Sequence, residues 1–164
     1  MRSALLVGLG AWAITWGTLL AKAADARPHV EGGAFAATVT GAERALPSGE
    51  ASFGAVAACD ARTFSITLGA HGKEGAVVFT SLDGETPRPG VYRITEVGDG
   101  GHHTFHALYL PGTAERPTGA YRAQGGVLEI VAATAESIEG RFEFDAADEE
   151  REVAVSGWFT AHAD

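Results

Sequence analysis

In residues 138–159, IEGRFEFDAADEEREVAVSGWF, apolar and polar side chains alternate on both sides of an acidic centre. Ile138, Gly140, Phe142 and Phe144 take one parity, and Glu139, Arg141, Glu143 and Asp145 take the other. Val153, Val155 and Phe159 repeat the rule after the acidic run. A period of two sends successive side chains to opposite faces of an extended chain, so each half is a strand with one buried face. Joined by Ala146–Arg151, the halves form a hairpin. A slip of one residue would turn every apolar side chain outward, so the parity of the pairing is fixed. The register that follows sets Phe144 opposite Val153, Phe142 opposite Val155, Gly140 opposite Gly157 and Ile138 opposite Phe159. Two facing glycines predict a bend or the close approach of another layer.

The same alternation recurs along the chain. Phe35, Ala37 and Val39 share one parity, as do Phe64, Ile66 and Leu68. Asp83-Gly84, Pro89-Gly90, Asp99-Gly100-Gly101, Pro111-Gly112 and Gly125-Gly126 punctuate the segments with turn chemistry. Eight or nine short strands are expected, with no amphipathic helix beyond residue 23. Such a pattern predicts an all-β domain over 34–164, a single antiparallel β-sandwich, with a closed β-barrel as the alternative. A second hairpin is expected to pair Val91–Val97 with His102–Leu108 across Gly98–Gly101, with Tyr92 opposite Ala107 and Ile94 opposite Phe105. Phe105 and Phe142 then belong to the core with Ile94 and Val155. Gly112–Ala123, which holds Pro117 and two threonines, reads as the longest loop.

The start of the chain follows another rule. Arg2 supplies a positive charge, Ala4–Leu20 is apolar apart from two threonines, and small residues follow as A-x-A. This predicts a secretory signal peptide over 1–23, its helix preceding the domain, and a flexible mature segment over 24–33. The apolar run is shorter than the roughly 20 residues that span a bilayer. Export to the periplasm or the extracellular space is the expectation, with cleavage after Ala23 or Ala26 and no membrane span in the mature form. Removing Arg2 and Lys22 from the 12 basic residues leaves ten against 21 acidic ones. That excess excludes nucleic acid and anionic membrane surfaces as partners on electrostatic grounds. Cys59 is the only cysteine, so no disulfide forms within the chain.

Gly90-Val91-Tyr92, Gly126-Val127-Leu128-Glu129-Ile130, Gly140-Arg141-Phe142-Glu143-Phe144 and Val153-Ala154-Val155-Ser156-Gly157-Trp158-Phe159 follow one another in order. In this the chain resembles a group of small exported bacterial all-β proteins, a family of domains of unknown function with G-x-Y, G-x-F-x-F and V-x-V-x-G-x-F strands. The likeness spans most of residues 34–160. It implies a fold and no catalytic residues.

Three histidines, His102, His103 and His106, crowd the start of one expected strand. Imidazole clusters hold zinc or copper, so these are the candidate metal ligands. On a strand, His103 and His106 face opposite ways, and His102 lies about 13 Å from His106 at roughly 3.3 Å per residue. One ion holding ring nitrogens at roughly 2.0–2.1 Å cannot bridge that span without a bulge or a further ligand such as His71 or Cys59. The expected register places His103 opposite Glu96 and His106 opposite Arg93. At the acidic tip, Asp145 faces Glu152 beside Asp148, Glu149 and Glu150, a repulsion that calcium would relieve. Trp158, with Glu139 opposite, interrupts a polar face and forms a candidate binding surface. No G-x-S-x-G, H-E-x-x-H, C-x-x-C, Walker or dinucleotide motif is present, so no catalytic or cofactor-binding residue is assigned. The leading expectation is a non-catalytic exported β-domain that binds an unknown protein or small molecule, or has a structural role at the envelope. The alternatives are a metal-binding protein or small metal-dependent enzyme built on His102–His106, and a carrier of a small apolar ligand.

Overall fold

The computed structural model describes residues 33–58, 61–69, 75–98, 101, 103–113 and 116–164. The expected signal peptide and its helix, all of the mature N-terminal segment except Gly33, and Cys59, His71 and His102 lie outside the described residues. The described residues form strands and turns only, an all-β architecture. In chain order the strands are β1 (Ala34–Gly41), β2 (Ser48–Gly49), β3 (Ala51–Ala58), β4 (Ala61–Leu68), β5 (Ala76–Ser81) and β6 (Gly90–Ile94). They continue with β7 (Thr104–Leu110), β8 (Gly112–Thr113), β9 (Arg116–Pro117), β10 (Tyr121–Ala133), β11 (Ser137–Asp148) and β12 (Arg151–Ala163).

Most of the antiparallel contacts join strands that are close in sequence. β1 pairs with β2, β3 with β4, β4 with β5, β5 with β7, and both β7 and β6 with β10. β10 pairs with β11, β11 with β12, and β12 returns to β1, every one of these contacts antiparallel. The pairings close into a circuit only through the short contact of β12 with β3, since β1 continues to β2 and β2 does not pair with β3. Two short parallel contacts make the sheet mixed rather than purely antiparallel: β6 beside β7, and the end of β12 beside the start of β3. Each arises where a neighbouring strand hands over. β10 pairs first with β7 through Tyr121 and Arg122 and then with β6 through Gly126–Ile130, so β6 and β7 run the same way along one neighbour.

That handover corrects the expected hairpin. β6 and β7 are two strands of one direction, not the arms of a hairpin. Ile94 does lie beside Phe105, but in parallel, while Tyr92 pairs with Leu128 and Ala107 with Phe79. Alternation fixes which side chains point inward and is silent about strand direction.

The second hairpin forms with its expected parity and a slip of two residues. Phe144 faces Val155, Phe142 faces Gly157, Gly140 faces Phe159 and Ile138 faces Ala161. The ladder runs on to Asp148 opposite Arg151, leaving Glu149 and Glu150 as the turn, with Glu149 at φ 53°. Asp145 consequently faces Ala154, and Glu152 faces Ala147, so the expected acid–acid opposition is absent from the ladder. A salt bridge of 2.6 Å between Arg151 and Asp148 stands at the tip instead.

The glycines meet rings rather than each other. A Cβ on Gly140 would stand 2.6 Å from Cζ of Phe159, and one on Gly157 would stand 2.8 Å from Cζ of Phe142. Each Phe occupies the space of a missing side chain on the strand beside it. The inward face is otherwise as the alternation predicts. Phe35, Ala37, Val39, Phe64, Ile66, Leu68, Ile94, Phe105, Phe142, Phe144, Val153, Val155 and Phe159 join one buried cluster. Phe79 sits inside a group of rings, 5.1 Å from Phe142, 6.0 Å from Phe144 and 6.3 Å from Phe159 between centroids. At these separations aromatic pairs add stabilisation beyond the area that they bury.

Candidate functional site

All eight phenylalanines are buried. Tyr109 and Tyr121 are buried with them, and Tyr92 takes the inward parity of Ile94. Trp158 takes the opposite parity. It lies between the inward Gly157 and Phe159 on β12, half-buried on the outer face. Among the described residues it is the only Phe, Tyr or Trp ring on that face. Its partners across the sheet are Arg141 on β11 and Ala36 on β1, not the expected Glu139. The two-residue slip moves Glu139 opposite Thr160.

The surroundings of Trp158 are low. Ala34, Ala36 and Thr38 follow the outer parity of β1, and Ala154, Ser156 and Thr160 that of β12. Arg141 is the one long cation beside the indole. Its Nε donates to Oε2 of Glu129 on β10 at 2.7 Å, which holds the guanidinium on the side away from β12. The Glu129 carboxylate raises the pKa of Arg141 through that bond. Glu143 and Asp145 continue the outer row of β11 and are exposed. Glu143 is flanked across the sheet by Val127 and Ser156, and Asp145 by Gly125 and Ala154. No cation lies directly opposite either one.

The two described histidines of the cluster differ in setting. His103 is not on a strand: it precedes β7 at φ 67°, exposed, and its N–H donates to Oδ2 of Asp83 at 3.1 Å. Its ring stands 6.3 Å from that of Tyr92. His106 lies on β7 opposite Thr80, not Arg93, and its Nδ1 donates to the Thr95 carbonyl at 3.1 Å. That bond puts the proton on Nδ1 and leaves Nε2 as the lone-pair nitrogen of the neutral ring. The expected Glu96 and Arg93 contacts are absent because they belonged to the antiparallel hairpin. Among the described residues no group of three or more His, Cys, Asp or Glu side chains is placed to hold a metal ion.

A polar cluster that the sequence did not reveal closes one end of the circuit. Tyr121, in the expected loop, instead begins β10 and is wholly buried. Its hydroxyl donates to Oε1 of Glu43 at 2.9 Å, and the Arg151 guanidinium stands 5.2 Å from its ring centroid. Arg151 also lies 3.6 Å from Glu43 and 2.6 Å from Asp148. The cluster ties the turn after β1 to the start of β10 and the β11–β12 tip. The available signal was parity: Tyr121 and Ala123 begin the inward series of β10.

Burial, and then the hydrogen bond to Glu43, raise the Tyr121 pKa above 10.0. The unfolded chain loses this proton near pH 10 while the folded chain keeps it, so stability falls as pH rises from about 10 through the raised value. At neutral pH, Tyr121→Phe should cost about 1 kcal/mol for the lost hydrogen bond. The gap between wild type and variant should narrow above about pH 10, as read from urea midpoints between pH 8 and 11.5. A gap that stays constant across that range would refute the assignment.

Among the described residues, the fold and this surface define an all-β architecture with a ring-filled interior and one outward indole. No family model, no curated protein and no solved structure matches the chain.

Proposed function

We propose that this chain is an exported, non-catalytic β-domain that binds a partner or ligand at the cell envelope through the outer face around Trp158. The observation that carries the reading is the sorting of the aromatic residues. Eight phenylalanines face inward, while the one described tryptophan stands among alanine, serine and threonine on the outside. Leaving part of an indole in water forgoes burial at roughly 25 cal/mol per Å² of apolar surface, and a ligand stacked on it recovers that. The Arg141–Glu129 pair beside it offers fixed polar groups for orientation. The closed circuit of pairings favours the barrel alternative over the two-layer sandwich. The rings packed around Phe79 favour binding on the exterior over carriage of an apolar molecule within. The strand motifs carry the further proposal that the chain belongs with small exported bacterial all-β proteins.

Two measurements test this. Protein recovered outside the cytoplasm should begin at Ala24 or Arg27 by N-terminal sequencing; an intact start at Met1 would overturn export with cleavage. Binding to panels of peptides and glycans should then be compared between wild type and Trp158→Ala. Removing a stacked indole is expected to weaken whatever binds by about tenfold or more. Equal binding by both proteins across every positive ligand would overturn the surface. Stoichiometric zinc or copper in the purified protein, lost in both His103→Ala and His106→Ala, would replace it with the metal-dependent alternative.

A further inference from the structure

We infer that the occupant of this face is cationic: a lysine- or arginine-bearing polypeptide segment that seats one charged group over Trp158 beside Glu143 and a second near Asp145. This rests on the reading of the face as a binding surface and adds the chemistry of the partner.

Charge and register carry the inference. Along the outer row of β11, Arg141 is engaged by Glu129, its neighbour on β10. The two carboxylates that follow, Glu143 and Asp145, stand against Val127, Ser156, Gly125 and Ala154, none of which brings a positive charge. β1, the next strand beyond β12, presents only Ala34, Ala36, Thr38 and Thr40 on this side. The face thus offers an electron-rich indole and two exposed carboxylates two residues apart, roughly 7 Å along the strand. Trp158 is one row from Glu143 across the hairpin, a diagonal of roughly 7–8 Å that a long side chain spans. An ammonium or guanidinium gains from both elements, by attraction to the ring face and by pairing with a carboxylate. A neutral ring ligand would gain only the stacking, and an anion would meet the carboxylates. The formal charge of −9 on the whole chain brings a basic partner in at long range and repels acidic ones.

The experiment must separate this site from general attraction of polycations to an acidic protein. Calorimetric titration of the full chain would use a peptide of alternating lysine and serine, the same peptide with glutamine for lysine, and a neutral linear hexasaccharide. Four proteins are compared: wild type, Trp158→Ala, the double variant Glu143→Gln/Asp145→Asn, and the double variant Glu149→Gln/Glu150→Gln. The last removes the same charge at the hairpin tip. The lysine peptide is expected to bind wild type and the tip variant within about twofold of one another. Trp158→Ala and Glu143→Gln/Asp145→Asn should each bind it about tenfold more weakly. The glutamine peptide should not bind. Equal weakening by both double variants would overturn the inference in favour of net charge. Trp158-dependent binding of the hexasaccharide without the lysine peptide would overturn the cationic partner and leave the binding face standing. Binding of the lysine peptide that is indifferent to Trp158 would overturn the seat proposed here. Failure of all three probes to bind wild type would overturn the cationic inference, while the face would still be judged by its own panel. Circular dichroism confirms that each variant is folded, as expected for changes on the outer face.

Discussion

Replacing Phe79 with alanine should lower the unfolding free energy by about 3–5 kcal/mol, the range for a buried aromatic cut back to a methyl group. Phe79 is fully buried and meets the rings of Phe142, Phe144 and Phe159. The substitution therefore leaves a cavity walled by three other rings, each held on a strand and unable to collapse into it. A domain of this size holds about 5–15 kcal/mol in total, so at least about a fifth of its stability goes with one side chain. Urea unfolding of wild type and variant measures it, with the slope checked so that the midpoint reports stability alone. A midpoint within error of wild type would mean that the cluster is not packed as described.

Gly157→Ala should cost about 3 kcal/mol, at the upper end of what overpacking does. Alanine ordinarily stabilises an extended segment relative to glycine by about 0.5–1 kcal/mol, so the expected sign is the reverse of the usual one. The reason is what the new Cβ would meet: the Ala36 carbonyl oxygen, Cζ of Phe142 at 2.8 Å and Cα of Ala37 at 2.9 Å. Two of the three are backbone atoms of β1, which cannot yield without disturbing the contact between β1 and β12. Gly125→Ala is the control, because a Cβ there meets nothing within 4 Å. Thermal midpoints should fall for Gly157→Ala and stay level or rise slightly for Gly125→Ala.

The inward face was legible in the sequence because a period of two leaves little choice about sidedness. Phe105 and Phe142 lie in the core beside Ile94 and Val155, as their parity predicts. The same reasoning could not distinguish a slip of two from no slip, since both keep every apolar residue inside. The ladder ran on to the tight turn at Glu149–Glu150, and Asp148 met Arg151 rather than another acid. Strand direction was equally invisible, and so the parallel β6 and β7 were expected as the arms of a hairpin. The Trp158 surface was half legible: its outward side followed from parity, whereas its neighbour Arg141 depended on the slip. Tyr121 was hidden by composition. The prolines and glycines before it read as loop, and its partners Glu43 and Arg151 lie far along the chain in both directions.

The pairing of β1 with β12 fixes when this protein can finish folding. A chain made from its N-terminus exposes β1 before the other described strands, yet the strand that completes its ladder, β12, is the last of them. Residues 45–49 can cover one side of β1 early, through bonds such as Ala37 N–H to Pro47 O, but the other side waits. Bringing the two ends together closes a loop of nearly the whole domain, and its entropy must be met before that contact gives anything back. Folding is therefore slow by comparison with a helical bundle of equal length, and the nascent chain carries open strand edges throughout. A ribosome stalled anywhere before residue 151 would hold an intermediate in which β1 is free to pair with a neighbouring chain, which makes the arrival of β12 the safeguard against aggregation.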